Sequence, residues 1–204
     1  MPRTTDVEER REQILRAAVK VFDERGYTNA TISDIASAAG VAHGTVYLYF
    51  RSKAEILQHL HARFAQWLLD ELDAPTGLRH ANGNLAAELY WLFRMLLDVC
   101  YQHRQVTEVC LKELDVVESE IAPGLRAMEE TLTDRLTKRF AQAIASGEMR
   151  PLRPESASDL VVRLLGVTIR RLLAVGTEAD VEQLARDTVD LILFGLASEN
   201  LRNN

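Results

Sequence analysis

Six residues in the segment 43–49, namely His43, Gly44, Thr45, Tyr47, Leu48 and Tyr49, have no evident structural task, while Val46 among them suits an interior. An imidazole, a hydroxyl, two phenols and a leucine on one short helix can read a DNA major groove, which displays hydrogen-bonding base edges and thymine methyls. The plainer alternative is a surface helix whose aromatic rings cover a small core. The chain holds no G-x-S-x-G elbow, Gly-rich phosphate loop or metal-ligand spacing, so no catalytic residue is assigned.

A helix that enters a groove must be held by others. Ala36, Gly40 and Val46 stand four and then six residues apart, which fits two short helices crossing steeply. Ala36 lets the second helix approach, Gly40 can take a positive φ in the turn, and Val46 packs back on the first helix. Thr31 and Asp34 form a capping box that starts the first helix at Ile32, with Ile32, Ile35, Ala36 and Ala39 as its buried stripe. The second is expected over 42–49. Ser52 and Glu55 form another box, so a longer helix should run from Lys53 to about Leu72. A lysine in a first turn opposes the helix dipole. Lys53, with Arg51 and the free N–H groups beside it, is therefore expected to receive a DNA phosphate. Upstream, Asp6 to Arg25 forms a helix ended by Gly26, with Ile14, Leu15, Ala18, Val21 and Phe22 on one face. Arg3, Arg10 and Arg11 lie off that face, either at phosphate or in solvent.

The segment ATISDIASAAGVAHGTVYLYFRSKAEI resembles the DNA-binding part of the tetracycline-repressor (TetR) family, whose pattern runs roughly T-x-x-x-I-A-x-x-A-G-V-S-x-G-T-x-Y-x-Y-F-x-S-K-E-x-L. Thr31, Ile35, Ala36, Ala39, Gly40, Val41, Gly44, Thr45, Tyr47, Tyr49, Phe50, Ser52 and Lys53 all fall in register. The chain departs at Ala42, where a capping serine is common, and at Leu48, where a polar or aromatic residue is frequent. The resemblance implies an all-α fold of about nine helices. In it, residues 1–51 form a three-helix helix-turn-helix domain and 52–204 a helical effector-binding and dimerisation domain. Thr31 joins the six residues above and Lys53 as the expected DNA-binding set.

The chain has 204 residues, 47% of them apolar and 26% charged, and carries a net charge of −6. That total hides an asymmetry. Residues 1–53 hold eight Lys and Arg against seven acids, net +1, and the remainder is net −7. DNA binding is thus expected through placed contacts near the N-terminus, with the acidic remainder opposing indiscriminate association. No signal peptide or membrane-length apolar run is seen, so a cytoplasmic protein without membrane attachment is expected. Cys100 and Cys110 would lie about 15 Å apart on one helix, beyond disulfide reach. Glu55, His59 and His61 lack a recognised ligand spacing, and neither a metal nor a cofactor is expected.

Beyond Asp73 to Gly83, a stretch rich in turn residues, only helical periods appear. Trp67, Trp91, Met95, Cys110 and Met128 are candidate lining for a small apolar or aromatic effector, although aromatics and methionines at helical spacing are more often core. The helices expected over 154–175 and 180–198 are apolar on more than one side. Leu164, Leu165, Leu172, Leu184, Leu191 and Ile192 are assigned to a four-helix homodimer seam. The expected protein is a dimeric repressor of a palindromic operator in double-stranded DNA, released by a small-molecule effector. A non-inducible architectural protein and a helical enzyme are the alternatives.

Overall fold

The computed structural model describes residues 4–73, 84–114 and 123–194. Nine helices occur among them: α1 (Thr4–Asn29), α2 (Ile32–Ala39), α3 (His43–Tyr47), α4 (Lys53–Asp73), α5 (Leu85–Gln102), α6 (Arg104–Leu114), α7 (Pro123–Ala145), α8 (Pro154–Val175) and α9 (Asp180–Phe194). The all-α expectation holds. The turn-rich stretch after Asp73 lies outside the described residues, as does Arg3.

The described residues pack as two compact units, one drawn from 1–66 with 103–126 and the other from 67–102 with 127–204. This packing division differs from the functional cut at residue 51, because α6 returns to the first unit. Buried Val109 of α6 belongs to the same apolar cluster as Ile14, Phe22, Ile35, Val46 and Leu57. A reading along the chain cannot see a segment that returns from fifty residues away.

In the first unit, α1 lays Ile14, Ala18, Val21 and Phe22 over Ile35, Ala36 and Ala39 of α2 and over Val46, all buried. The valine, isoleucine and phenylalanine side chains among them each contribute about 1.5–3 kcal/mol when fully withdrawn from water. Helix α1 is broken at Gly26, whose φ of 73° and ψ of 154° fall in a region nearly closed to other residues. The chain then makes one more turn to Asn29, three residues past the expected stop. Helix α2 starts from the predicted capping box: Asp34 N–H donates to Thr31 Oγ1 at 3.1 Å, and Thr31 N–H to Asp34 Oδ2 at 3.0 Å. It ends at Gly40 in the left-handed conformation, φ 65°, from which Val41 N–H reaches back to Ala36 O at 3.0 Å. Helix α3 is shorter than the expected 42–49. Ala42 precedes it without a side-chain acceptor for the first N–H groups, and the helix closes at Leu48.

In the second unit, α5 is sandwiched, burying Leu85, Leu89, Phe93, Leu96 and Leu97, and packs against α8 and α9. Polar groups within this core are matched. Thr137 and Ser158 hydroxyls lie 2.5 Å apart, and Ser158 also donates to the Pro154 carbonyl at 3.0 Å.

Candidate nucleic-acid interface and effector cavity

Buried Val46 anchors α3, and that anchor decides which of its side chains face outward. His43 and Gly44 are exposed, Tyr47 is 50% exposed and Leu48 81% exposed. Tyr47 and Leu48 therefore present adjoining apolar surface on the outer side of α3. His43 is held from two sides. Its Nδ1 lies 3.0 Å from Ser33 Oγ on α2, and its ring meets that of Tyr47 edge-on, centroids 5.3 Å apart. Ser33 was not singled out in the sequence, since a serine ten residues from its partner gives no local signal. Thr45 and Tyr49 are half-buried, and Tyr49 packs against the first unit's core. Thr31 is spent on capping α2. Gln13 fixes α1 to the end of α2 by donating to Ala39 O at 2.6 Å.

Lys53 requires a correction. Its ammonium donates to the carbonyls of Tyr27 (2.5 Å), Thr28 (3.1 Å) and Ala30 (2.8 Å) and stands 4.4 Å from the Tyr27 ring centroid. An ammonium has three protons, and three carbonyls take them. The cation that opposes the α4 dipole is held at the carbonyl end of α1, where positive charge is favoured. Two neighbouring N–H groups also have partners: Arg51 N–H donates to Glu55 Oε2 at 2.5 Å and Glu55 N–H to Ser52 Oγ at 3.1 Å. The expected phosphate site is a helix-to-helix clamp. Arg11 also has partners within the unit. It lies 2.6 Å from His59 Nε2 and stacks over Phe50 at 5.1 Å. Burial first, and the Arg11 charge second, hold the His59 imidazole below its usual pKa, so the neutral, accepting form is favoured.

The second unit contains a cavity of about 280 Å³. Its walls are Leu72 of α4, Leu85 and Leu89 of α5 and Leu132 of α7, with Arg135 and Arg139 at its edge. Of the five expected lining residues, Trp91 lines it. Met95 and Cys110 are buried core, and Trp67 and Met128 are half-buried outside this lining. The leucines were legible as core periodicity, but the arginines facing the cavity were not. Arg139 joins Glu88 and Glu148, and Glu148 in turn accepts the Leu85 N–H at 2.5 Å, which together with Arg139 lowers its pKa. Burial pushes the Cys100 thiol up to about 12, which leaves it unreactive. Among the described residues no group of three or more His, Cys, Asp or Glu could hold a metal ion, and no helix is long and apolar enough to cross a membrane.

The expected seam residues divide by burial. Leu165 and Leu172 are core of the single chain, a correction; Leu164, Leu184 and Ile192 are half-buried, and Leu191 is exposed. Leu160, Val167 and Val175, which were not assigned to the seam, are each more than 60% exposed on α8. A helix apolar on two sides has one side for its own chain, and spacing alone does not say which.

The signature described as bacterial regulatory proteins, tetR family, matches residues 14–60. The "Fatty acid metabolism regulator protein" of Bacillus subtilis aligns over 185 residues, 90% of this chain and 94% of that one, at 56% identity. The structure of FadR from Bacillus subtilis in complex with stearoyl-CoA superposes with a TM-score of 0.71 over 91% of this chain and 99% of that one, at 23% identity. AibR in complex with isovaleryl coenzyme A and operator DNA superposes with a TM-score of 0.70 over 90% and 98% of the two chains, at 18% identity. With the capped α2, the left-handed turn at Gly40 and the exposed α3 already described, the chain belongs to the TetR family and is a DNA-binding transcriptional regulator.

Proposed function

We propose that this protein represses transcription as a cytoplasmic homodimer on a palindromic operator and is released by an acyl-coenzyme A. Residues 1–51 bind DNA and 52–204 bind effector and partner subunit. The observation that carries the DNA reading is the exposure of Tyr47 and Leu48 around buried Val46. Two α3 helices related by a two-fold axis meet successive major-groove faces, with His43, Gly44, Thr45, Tyr47 and Leu48 towards the bases and Thr31 and Tyr49 supporting them. The exposed apolar stripe Leu160, Val167, Val175 on α8, with Leu191 on α9, supports the subunit interface.

The effector class is supported by two structural neighbours that were solved with acyl-coenzyme A thioesters, one of them also with operator DNA. Here the leucine-walled cavity of about 280 Å³ offers an acyl site. That volume lies just below the usual span of ligand pockets, about 300–1,000 Å³, and favours short or medium chains. The test is selection of genomic fragments by the purified protein, then footprinting with and without octanoyl-CoA. A short protected palindrome lost on adding octanoyl-CoA is expected. Protection without dyad symmetry would overturn the dimeric reading, and protection unaffected by acyl-CoAs of two to eighteen carbons would overturn the effector class.

A further inference from the structure

Two arginines of α7 border the cavity and are held in different ways. Arg139 is 22% exposed and sits between Glu88, 14% exposed, and Glu148, whose other oxygen accepts the Leu85 N–H. Withdrawing that cation would strand the poorly solvated Glu88 carboxylate and release Glu148, the acceptor that caps the start of α5, so Arg139 is committed to the fold. Arg135, one turn earlier, pairs with Asp73 at 2.7 Å, and the two side chains are 39% and 63% exposed. Pairs this exposed contribute little, because water competes for both partners. Arg135 can change partner cheaply where Arg139 cannot. Asp73 is the last residue of α4. A carboxylate there opposes the negative end of the helix dipole unless a cation answers it, and Arg135 is that cation.

We infer that Arg135 receives the anionic end of the effector in exchange for Asp73, while the apolar end fills the cavity beside Leu72 and Leu132. This rests on the acyl-coenzyme A reading above and adds the residue that selects the head group. A planar guanidinium suits a phosphate or a carboxylate equally, so the recognised chemistry is an anion on an apolar tail. The exchange leaves Asp73 unanswered at the end of α4 and loosens its last turn. Helix α4 begins at Lys53, the clamp on the carbonyls of α1, so the helix whose end is released is also the one that grips the DNA-binding unit's first helix.

Calorimetric titration of the full chain with octanoyl-CoA, octanoate and the neutral methyl octanoate tests this. Arg135→Gln should weaken the anionic probe by about tenfold or more and leave methyl octanoate unchanged. Asp73→Asn should tighten the anionic probe by about threefold, since the internal competitor is gone. A greater Arg135 dependence for octanoyl-CoA assigns the phosphates as the anion, and a greater dependence for octanoate the carboxylate. Unchanged anion binding by Arg135→Gln, or equal loss for methyl octanoate, would overturn the anion role, and no tightening in Asp73→Asn would overturn the exchange. If the wild-type chain binds none of the three probes and no acyl-coenzyme A of two to eighteen carbons, the acyl-coenzyme A reading fails and this inference with it.

Discussion

Lys53 and Tyr47 illustrate how one atom's position separates two roles that residue type leaves open. Both stand in the family pattern, yet the Lys53 nitrogen is surrounded by three carbonyls while Tyr47 projects from α3. Opposite outcomes follow. Lys53→Met keeps the aliphatic stem and loses the charge-assisted hydrogen bonds, which should cost about 2 kcal/mol of stability. Below its lowered thermal midpoint, operator affinity should keep the wild-type salt slope. A slope reduced by about one with stability intact would return Lys53 to the phosphate backbone. Tyr47→Ala should leave the thermal midpoint unchanged and weaken specific binding by about tenfold or more. Wild-type operator affinity would remove Tyr47 from the interface.

At the scale of elements, the contact between α1 and α4 carries a pH dependence. Arg11 donates to His59 Nε2, and the Phe50 ring meets the imidazole edge-on at 5.5 Å. Burial and Arg11 lower the His59 pKa from the ordinary 6.5, against the opposing pull of Glu55 and Glu8. A depressed folded-state pKa means that the unfolded chain takes up the proton first. The stabilisation is therefore present above the ordinary pKa and is lost as pH falls through the lowered one. Thermal midpoints should decline as pH drops below about 6.5, and His59→Gln, which keeps an acceptor, should flatten that part of the profile. An unchanged slope in the variant would assign the decline to another group. Elsewhere in the same unit, spacing was sufficient. The α2 box at Thr31 and Asp34 and the turn at Gly40 were legible because capping and a left-handed turn are local and depend on residues a few positions apart.

For the whole molecule, burial separates two sets of leucines and valines that look alike in sequence. Leu172 is fully buried within the chain, whereas Val167 is 63% exposed on the same helix. Leu172→Ala should destabilise the single subunit by about 2–5 kcal/mol. Val167→Asp should leave the subunit folded and yield a monomer by sedimentation or light scattering, with operator affinity reduced by about a hundredfold as the second half-site is lost. A Val167→Asp protein that remains dimeric would place the subunit interface elsewhere.

Residue type and spacing were enough for the helical class, the start of α2 and α4, the tight turn at Gly40 and the inward seat of Val46 on α3. Each depends on contacts within a turn or two of chain, where residue type and spacing are nearly the whole of the physics. It took the packing of distant segments to show that Lys53 clamps α1, that Leu165 and Leu172 are core while Leu160 and Val167 face outward, and that Arg135 and Arg139 line an apolar cavity. Those outcomes depend on which groups distant segments bring together. An ammonium takes whichever acceptors packing sets beside it, and a doubly apolar helix buries whichever side its neighbours reach first.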